Sequence, residues 1–153
     1  MIDRCKIFID LDGTLCGETK WSGFLNNTLS LFDEKLLYIP PKHIDWSILT
    51  ARPKLDKLLI YLVCKWHSLK PDRIITTSTW QHHFENIVQR SVFKLEVLTF
   101  YIDHLDYDKV IYVDNDIILS NTMRELYHND KLVICDTKSL KPLLESLTGL
   151  KYE

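Results

Sequence analysis

Six side chains of this 153-residue chain could do chemistry together: Asp10, Asp12, Thr50, Lys94, Asp114 and Asp116. Asp10 and Asp12 stand two residues apart at the polar end of a short apolar run, followed by Gly13 and Thr14. Two acids so placed repel each other and lose hydration, unless a cation, a shared proton or water compensates. A carboxylate such as Asp10 can attack phosphorus, splitting hydrolysis into formation and breakdown of an aspartyl-phosphate. Asp12 is placed to give a proton to the leaving oxygen and later to take one from water. Thr50 and Lys94 would supply a donor and a cation for the negative charge that develops on the phosphoryl oxygens. Asp114 with Asp10, joined by Asp12 and Asp116, makes a hard oxygen site suited to Mg²⁺, which takes few carboxylates plus waters and phosphate oxygens. Such an ion would contribute on the order of several kcal/mol by neutralising and orienting the phosphate.

The surrounding elements must carry these groups to one place. Lys6 to Ile9 continue an apolar run opened by Ile2 and cut off by Asp10, the pattern of a buried parallel strand ending in a polar turn. A second strand is expected over 44–50, with Pro53 suited to the first turn of the helix that follows. That helix is expected over 54–68, with Leu55, Leu58, Leu59, Leu62, Val63 and Trp66 forming its apolar face. Pro71 and Asp72 break it, and a third strand at 74–77 delivers Thr76 and Thr77 to its carboxyl end. Apolar residues from Phe84 to Leu105 mark one long helix or two broken near Ser91. Strands are expected at 109–113 and 132–135, and helices at 120–128, capped by Ser120 or Asn121, and at 139–147. This alternation predicts an α/β fold: an open parallel sheet with right-handed crossovers, in one domain over 1–153. Residues 16–43 are expected to form a flap or short insert. Ligands of such sheets bind just outside the carboxyl ends of the strands, where the acids fall.

Apolar content of 46% and charged content of 26% are ordinary globular values. A net charge of −2 makes no case for a general nucleic-acid or membrane-surface binder, although it leaves room for a local basic patch. Cys5, Cys16, Cys64 and Cys135 form no C-x-x-C and sit in or beside apolar runs, which reads as reduced core thiols. Asp3, Arg4 and Lys6 interrupt the first apolar stretch, so no signal peptide is expected, and nothing approaches a membrane span. A soluble, cytoplasmic protein is the expectation.

Strand, then Asp-Leu-Asp-Gly-Thr-Leu, resembles the first motif of the haloacid dehalogenase superfamily of phosphohydrolases. Thr50 in ILTARP is similar to the second motif, Lys94 to the third, and the IYVDND stretch ending at Asp116 to the fourth. The four occur in order and cover essentially the whole chain. The resemblance implies a Rossmann-like three-layer sandwich with strand order 5-4-1-2-3 and a squiggle-and-flap turn from about Cys16. It also implies Asp10 as nucleophile, Asp12 as acid and base, and Mg²⁺ held by the first and fourth motifs. Asp114 is the favoured ligand of the fourth motif with Asp116 supporting, and Asn115 is an alternative. Thr76 or Thr77 compete with Thr50 for the second motif but would put two strands between it and the first.

In this family, cap insertions choose the substrate. Only 37 residues separate Asp12 from Thr50, so the chain looks capless, which implies an open site and a bulky phosphorylated substrate. Arg52, in a turn similar to that of polynucleotide-end phosphatase domains and nucleotidases, could fork a phosphate, or pair with a helix acid at the surface. Gly13, Thr14 and Ala51 are further candidates for the phosphate. Trp21 and Trp80 are candidates for base stacking, while Trp46 is equally a core residue. The expected substrate is a nucleotide or a nucleic-acid-end phosphate. The alternatives are a phosphotransferase or phosphoprotein phosphatase of the same fold, and an inactive binding protein. A phospho-acceptor receiver domain would need its acid after the third strand, where this chain has threonines. Nothing indicates an oligomer.

Overall fold

Five apolar runs pair as parallel strands in the computed structural model, which describes residues 4–17, 35–79 and 84–153. They are β1 (Cys5–Ile9), β2 (Trp46–Leu49), β3 (Ile74–Ile75), β4 (Lys109–Val113) and β5 (Leu132–Cys135). Across the sheet they run β3-β2-β1-β4-β5, or 5-4-1-2-3 from the other edge. Among the described residues four helices connect them: α1 (Lys57–Trp66), led in by a 3-10 turn at Lys54–Asp56, α2 (Ile87–His104), α3 (Ile117–Leu126) and α4 (Thr137–Thr148). No described helix is long and apolar enough to cross a membrane.

Alternate side chains of a strand leave opposite faces of the sheet. Ile7, Ile9, Ile48, Ile111 and Val113 pack with residues of α1 and α4. Phe8, Leu49, Val110 and Tyr112 pack on the other face with residues of α2 and α3. The result is a helix–sheet–helix arrangement compatible with a Rossmann-like sandwich, with apolar strands buried on both sides. All four cysteines are free thiols, and Trp46 belongs to the core. Burial pushes the Cys64 and Cys135 thiols up to about 12, so neither is a reactive thiolate.

Several local expectations change, and the choice between one helix and two near Ser91 falls to one. Helix α1 is rotated about its axis: Ile60, Val63 and Cys64 face the core, while Leu58 and Trp66 are 68% and 72% exposed. Asp56, just ahead of the helix, is buried on the same side and held by buried Arg52 at 3.1 Å. Helix α2 runs unbroken through Ser91, whose hydroxyl donates back to the Ile87 carbonyl at 2.8 Å and so needs no other partner. Helix α3 starts at Ile117, and Asp116 caps it by accepting from Leu119 N at 3.0 Å, in place of Ser120 or Asn121. Asp136 does the same for α4 through Ser139 N, and Gly149 closes that helix with φ of 71°. The expected second and third strands are shorter than their apolar runs. Most of the expected flap, over 18–34, lies outside the described residues, as do Trp21 and Trp80.

Candidate active site

The sheet order turns at β1: β2 and β3 lie to one side, β4 and β5 to the other. The crevice beyond the carboxyl ends of β1 and β4 is thus the switch point where open α/β sheets take ligands. Asp10 follows β1 and Asp114 follows β4. Each is held by a backbone bond to the next strand, Asp10 N to Val113 O and Asp114 N to Cys135 O, both at 2.9 Å.

Lys94 reaches this crevice from α2. Its Nζ donates to Asp10 Oδ1 at 2.9 Å, to Asp114 Oδ2 at 3.2 Å and to the Tyr112 hydroxyl at 2.5 Å. Tyr112 donates in turn to Asp114 Oδ2 at 2.5 Å. All four side chains are buried. Burial pushes the Asp10 carboxyl up to about 7; Asp114 and Asp12 add to this, and Lys94 opposes it. Burial acts to lower the Lys94 ammonium, but Asp10 and Asp114 outweigh it and the group stays charged, above its ordinary value. The Tyr112 phenol is held well above its ordinary value, first by burial and then by the two carboxylates, so it is a neutral donor.

A second ion cluster stands beside the first. Arg52 Nε and Nη2 fork the two oxygens of Asp12 at 2.9 and 2.7 Å, and Nη1 reaches Asp56 Oδ2 at 3.1 Å. The arginine is therefore not a surface residue: it is buried and binds a helix acid and Asp12 together. Those two carboxylates more than offset burial and hold the guanidinium above its ordinary value. Asp12 keeps 33% of its side chain exposed, the open end of the cluster.

The remaining candidates are placed as follows. Thr50 ends β2, next to β1, is 1% exposed and accepts from Arg52 N through Oγ1 at 3.3 Å. Thr76 and Thr77 follow β3, the edge strand, and β2 lies between it and β1. Ala51 is half-buried beside Thr50. Gly13 and Thr14 have partners of their own in the loop and beyond it. Gly13, with φ of 74°, turns the loop and donates to Cys16 O at 2.7 Å, and Thr14 is fully buried, accepting from Asn115 N at 3.1 Å. Asn115 is a strut as well: its Oδ1 accepts from Thr137 N and Thr137 Oγ1 at 3.0 and 3.1 Å, joining the fourth-strand loop to α4.

Of the four acids expected around a metal, two converge and two do not. Asp10 and Asp114 share Lys94, whereas both Asp12 oxygens are taken by Arg52 and Asp116 Oδ1 is taken by the α3 cap. Among the described residues no three His, Cys, Asp or Glu side chains form a metal-holding group. Two hard carboxylates at a polar strand end still fit Mg²⁺, which binds through one or two carboxylates and keeps its waters.

Sequence reasoning missed Tyr112, Asp56 and the strut role of Asn115. A signal existed for the first: Tyr112 lies two residues before Asp114 in a buried strand, so it shares Asp114's face and its hydroxyl needs a partner. The sequence offered Arg52 a helix acid without naming it, and the 3-10 turn makes that acid Asp56, four residues on. Comparison of the chain with protein-family models, with curated proteins and with solved structures finds no match.

Proposed function

We propose that this chain is a haloacid dehalogenase-type phosphomonoester hydrolase that works through an aspartyl-phosphate on Asp10. The observation that carries the reading is the convergence of Asp10 and Asp114 on one buried lysine at the sheet's switch point. The order of strands and the four motif-like stretches support it. The Asp10 carboxylate attacks phosphorus as the bond to the leaving oxygen breaks, and Asp12 protonates that oxygen. Water then attacks the aspartyl-phosphate while Asp12 takes its proton, returning Asp10. Lys94 orients Asp10 and balances charge in a water-poor crevice, where such an interaction is stronger than in water. Arg52 orients Asp12 through its fork. Mg²⁺ held by Asp10 and Asp114 would supply the positive charge that neutralises the phosphate and keeps Asp10 ionised. The substrate class is a nucleotide or a nucleic-acid-end phosphate.

The test is phosphate release from p-nitrophenyl phosphate, mononucleotides, phosphorylated oligonucleotides and a phosphopeptide, with Mg²⁺ or EDTA. Release that needs Mg²⁺ and vanishes in Asp10→Asn is the expected result. Release that survives Asp10→Asn would sink the nucleophile assignment.

A further inference from the structure

A groove of about 1420 Å³ runs along the edge of the sheet between α1 and β3, separate from the crevice at β1 and β4. Pockets that take single small molecules measure roughly 300–1,000 Å³, so this one is larger than such a ligand needs. Its charge departs sharply from that of the chain as a whole, which is −2. Lys54, Lys57, Lys65, Lys70 and Arg73 line it, all exposed, against a single acid, Asp72. That acid is already bound to Lys6 at 2.8 Å. The groove also offers apolar surface: Leu58, Tyr61, Ile74 and Ile75 line it, and the Lys65 ammonium stands 4.9 Å over the Tyr61 ring. Cations beside apolar and aromatic surface are what a single strand of nucleic acid uses, phosphates on the former and bases on the latter.

The groove leads toward the candidate site. Its carboxyl-edge lining includes Lys54, Thr77 and Ser78. This end is tied to the Arg52 loop by two backbone bonds, Thr77 N to Arg52 O at 3.0 Å and Lys54 N to Thr79 O at 2.8 Å. We propose that the α1–β3 groove holds a single-stranded nucleic acid and directs its phosphorylated end past Arg52 to Asp10. The groove stands on its own observations; the delivery to Asp10 rests on the hydrolase reading above. An acidic peptide would satisfy the same charges, but a regular row of phosphates also matches the group that the neighbouring site would process.

The test measures binding of a labelled, unphosphorylated single-stranded 12-mer to the full chain by fluorescence anisotropy in EDTA, from 50 to 200 mM salt. Binding is expected to weaken with salt. Lys65→Glu with Lys70→Glu is expected to weaken it at least about tenfold and to reduce the log–log salt slope by about 1.4, two lost contacts at about 0.7 each. Lys138→Glu with Lys141→Glu on α4 changes the net charge equally and serves as control; it is expected to lose far less. Absence of salt-dependent binding, or equal loss in both double variants, would overturn the proposal, as would tighter binding of an acidic amphipathic peptide. A second arm follows phosphate release from the phosphorylated 12-mer with Mg²⁺. Binding as expected without release from any substrate would leave the groove standing and reject the hydrolase reading. Release without groove-dependent binding would do the reverse.

Discussion

Two ion clusters flank the loop after β1, and each sets one cation between two carboxylates. Lys94 joins Asp10 and Asp114 on the α2 side, and Arg52 joins Asp12 and Asp56 on the α1 side. They differ in the cation and in exposure. Lysine is a compact point charge, and here it is enclosed with Tyr112 among groups that are all buried. Arginine is a planar fork that satisfies both oxygens of Asp12 and still reaches Asp56, while Asp12 opens to solvent. Each cluster carries one carboxylate more than it has cations. The enclosed one concentrates that excess among buried groups; the open one leaves its carboxylate at Asp12 in reach of solvent.

Removing the enclosed cation should have the largest effect. Lys94→Met leaves two buried carboxylates without their charge partner, which costs about 3–5 kcal/mol. For a domain of this size that lowers Tm by about 6–20 °C in a thermal melt at pH 8 in EDTA. The open cluster should tolerate more: Arg52→Lys keeps the charge but loses the fork, at about 1–3 kcal/mol, because water can take over at Asp12. A larger loss for Arg52→Lys than for Lys94→Met would reverse the comparison.

A third expected effect has the opposite sign. Asp10 holds its proton up to about 7 in the folded chain, against 3.8 ordinarily. Its protonation therefore favours the fold: that contribution is full below pH about 4 and is lost as pH rises through 7. Asp10→Asn escapes this loss. In EDTA its Tm should gain steadily on the wild type as pH rises from 4 to 8. A difference in Tm that stays flat with pH would show that the enclosed cluster does not penalise the Asp10 charge. Activity and stability would pull in opposite directions at this residue, as they do where a site is held under electrostatic strain.

Much of the fold could be read along the chain. The runs ending at Asp10 and Asp114 are short, apolar and sharply terminated, so β1 and β4 and their polar ends were legible, as was β5. Lys94 was legible through its place in the order of motif-like residues, although its full burial was not. The rotation of α1 was hidden because its sequence carries two apolar stripes. Periodicity favours the face with Leu55, Leu58, Leu59, Leu62, Val63 and Trp66, yet of these only Val63 is buried, with Ile60 and Cys64 beside it. Packing against the sheet selects between them, and periodicity alone does not register which stripe the sheet will cover.

By itself, then, the sequence determined which residues end the strands and which of them carry charge, because strand period and polar termination are local properties. Only the tertiary structure decided which charges meet. It set Asp10 against Lys94 and Asp12 against Arg52, turned Asn115 and Asp116 into a strut and a cap, and gathered five cations along one edge of a chain with net negative charge. Asp10 and Lys94, like Asp12 and Arg52, lie tens of residues apart in the chain and within about 3 Å in space. Their choice depends on burial, which no single stretch of sequence contains.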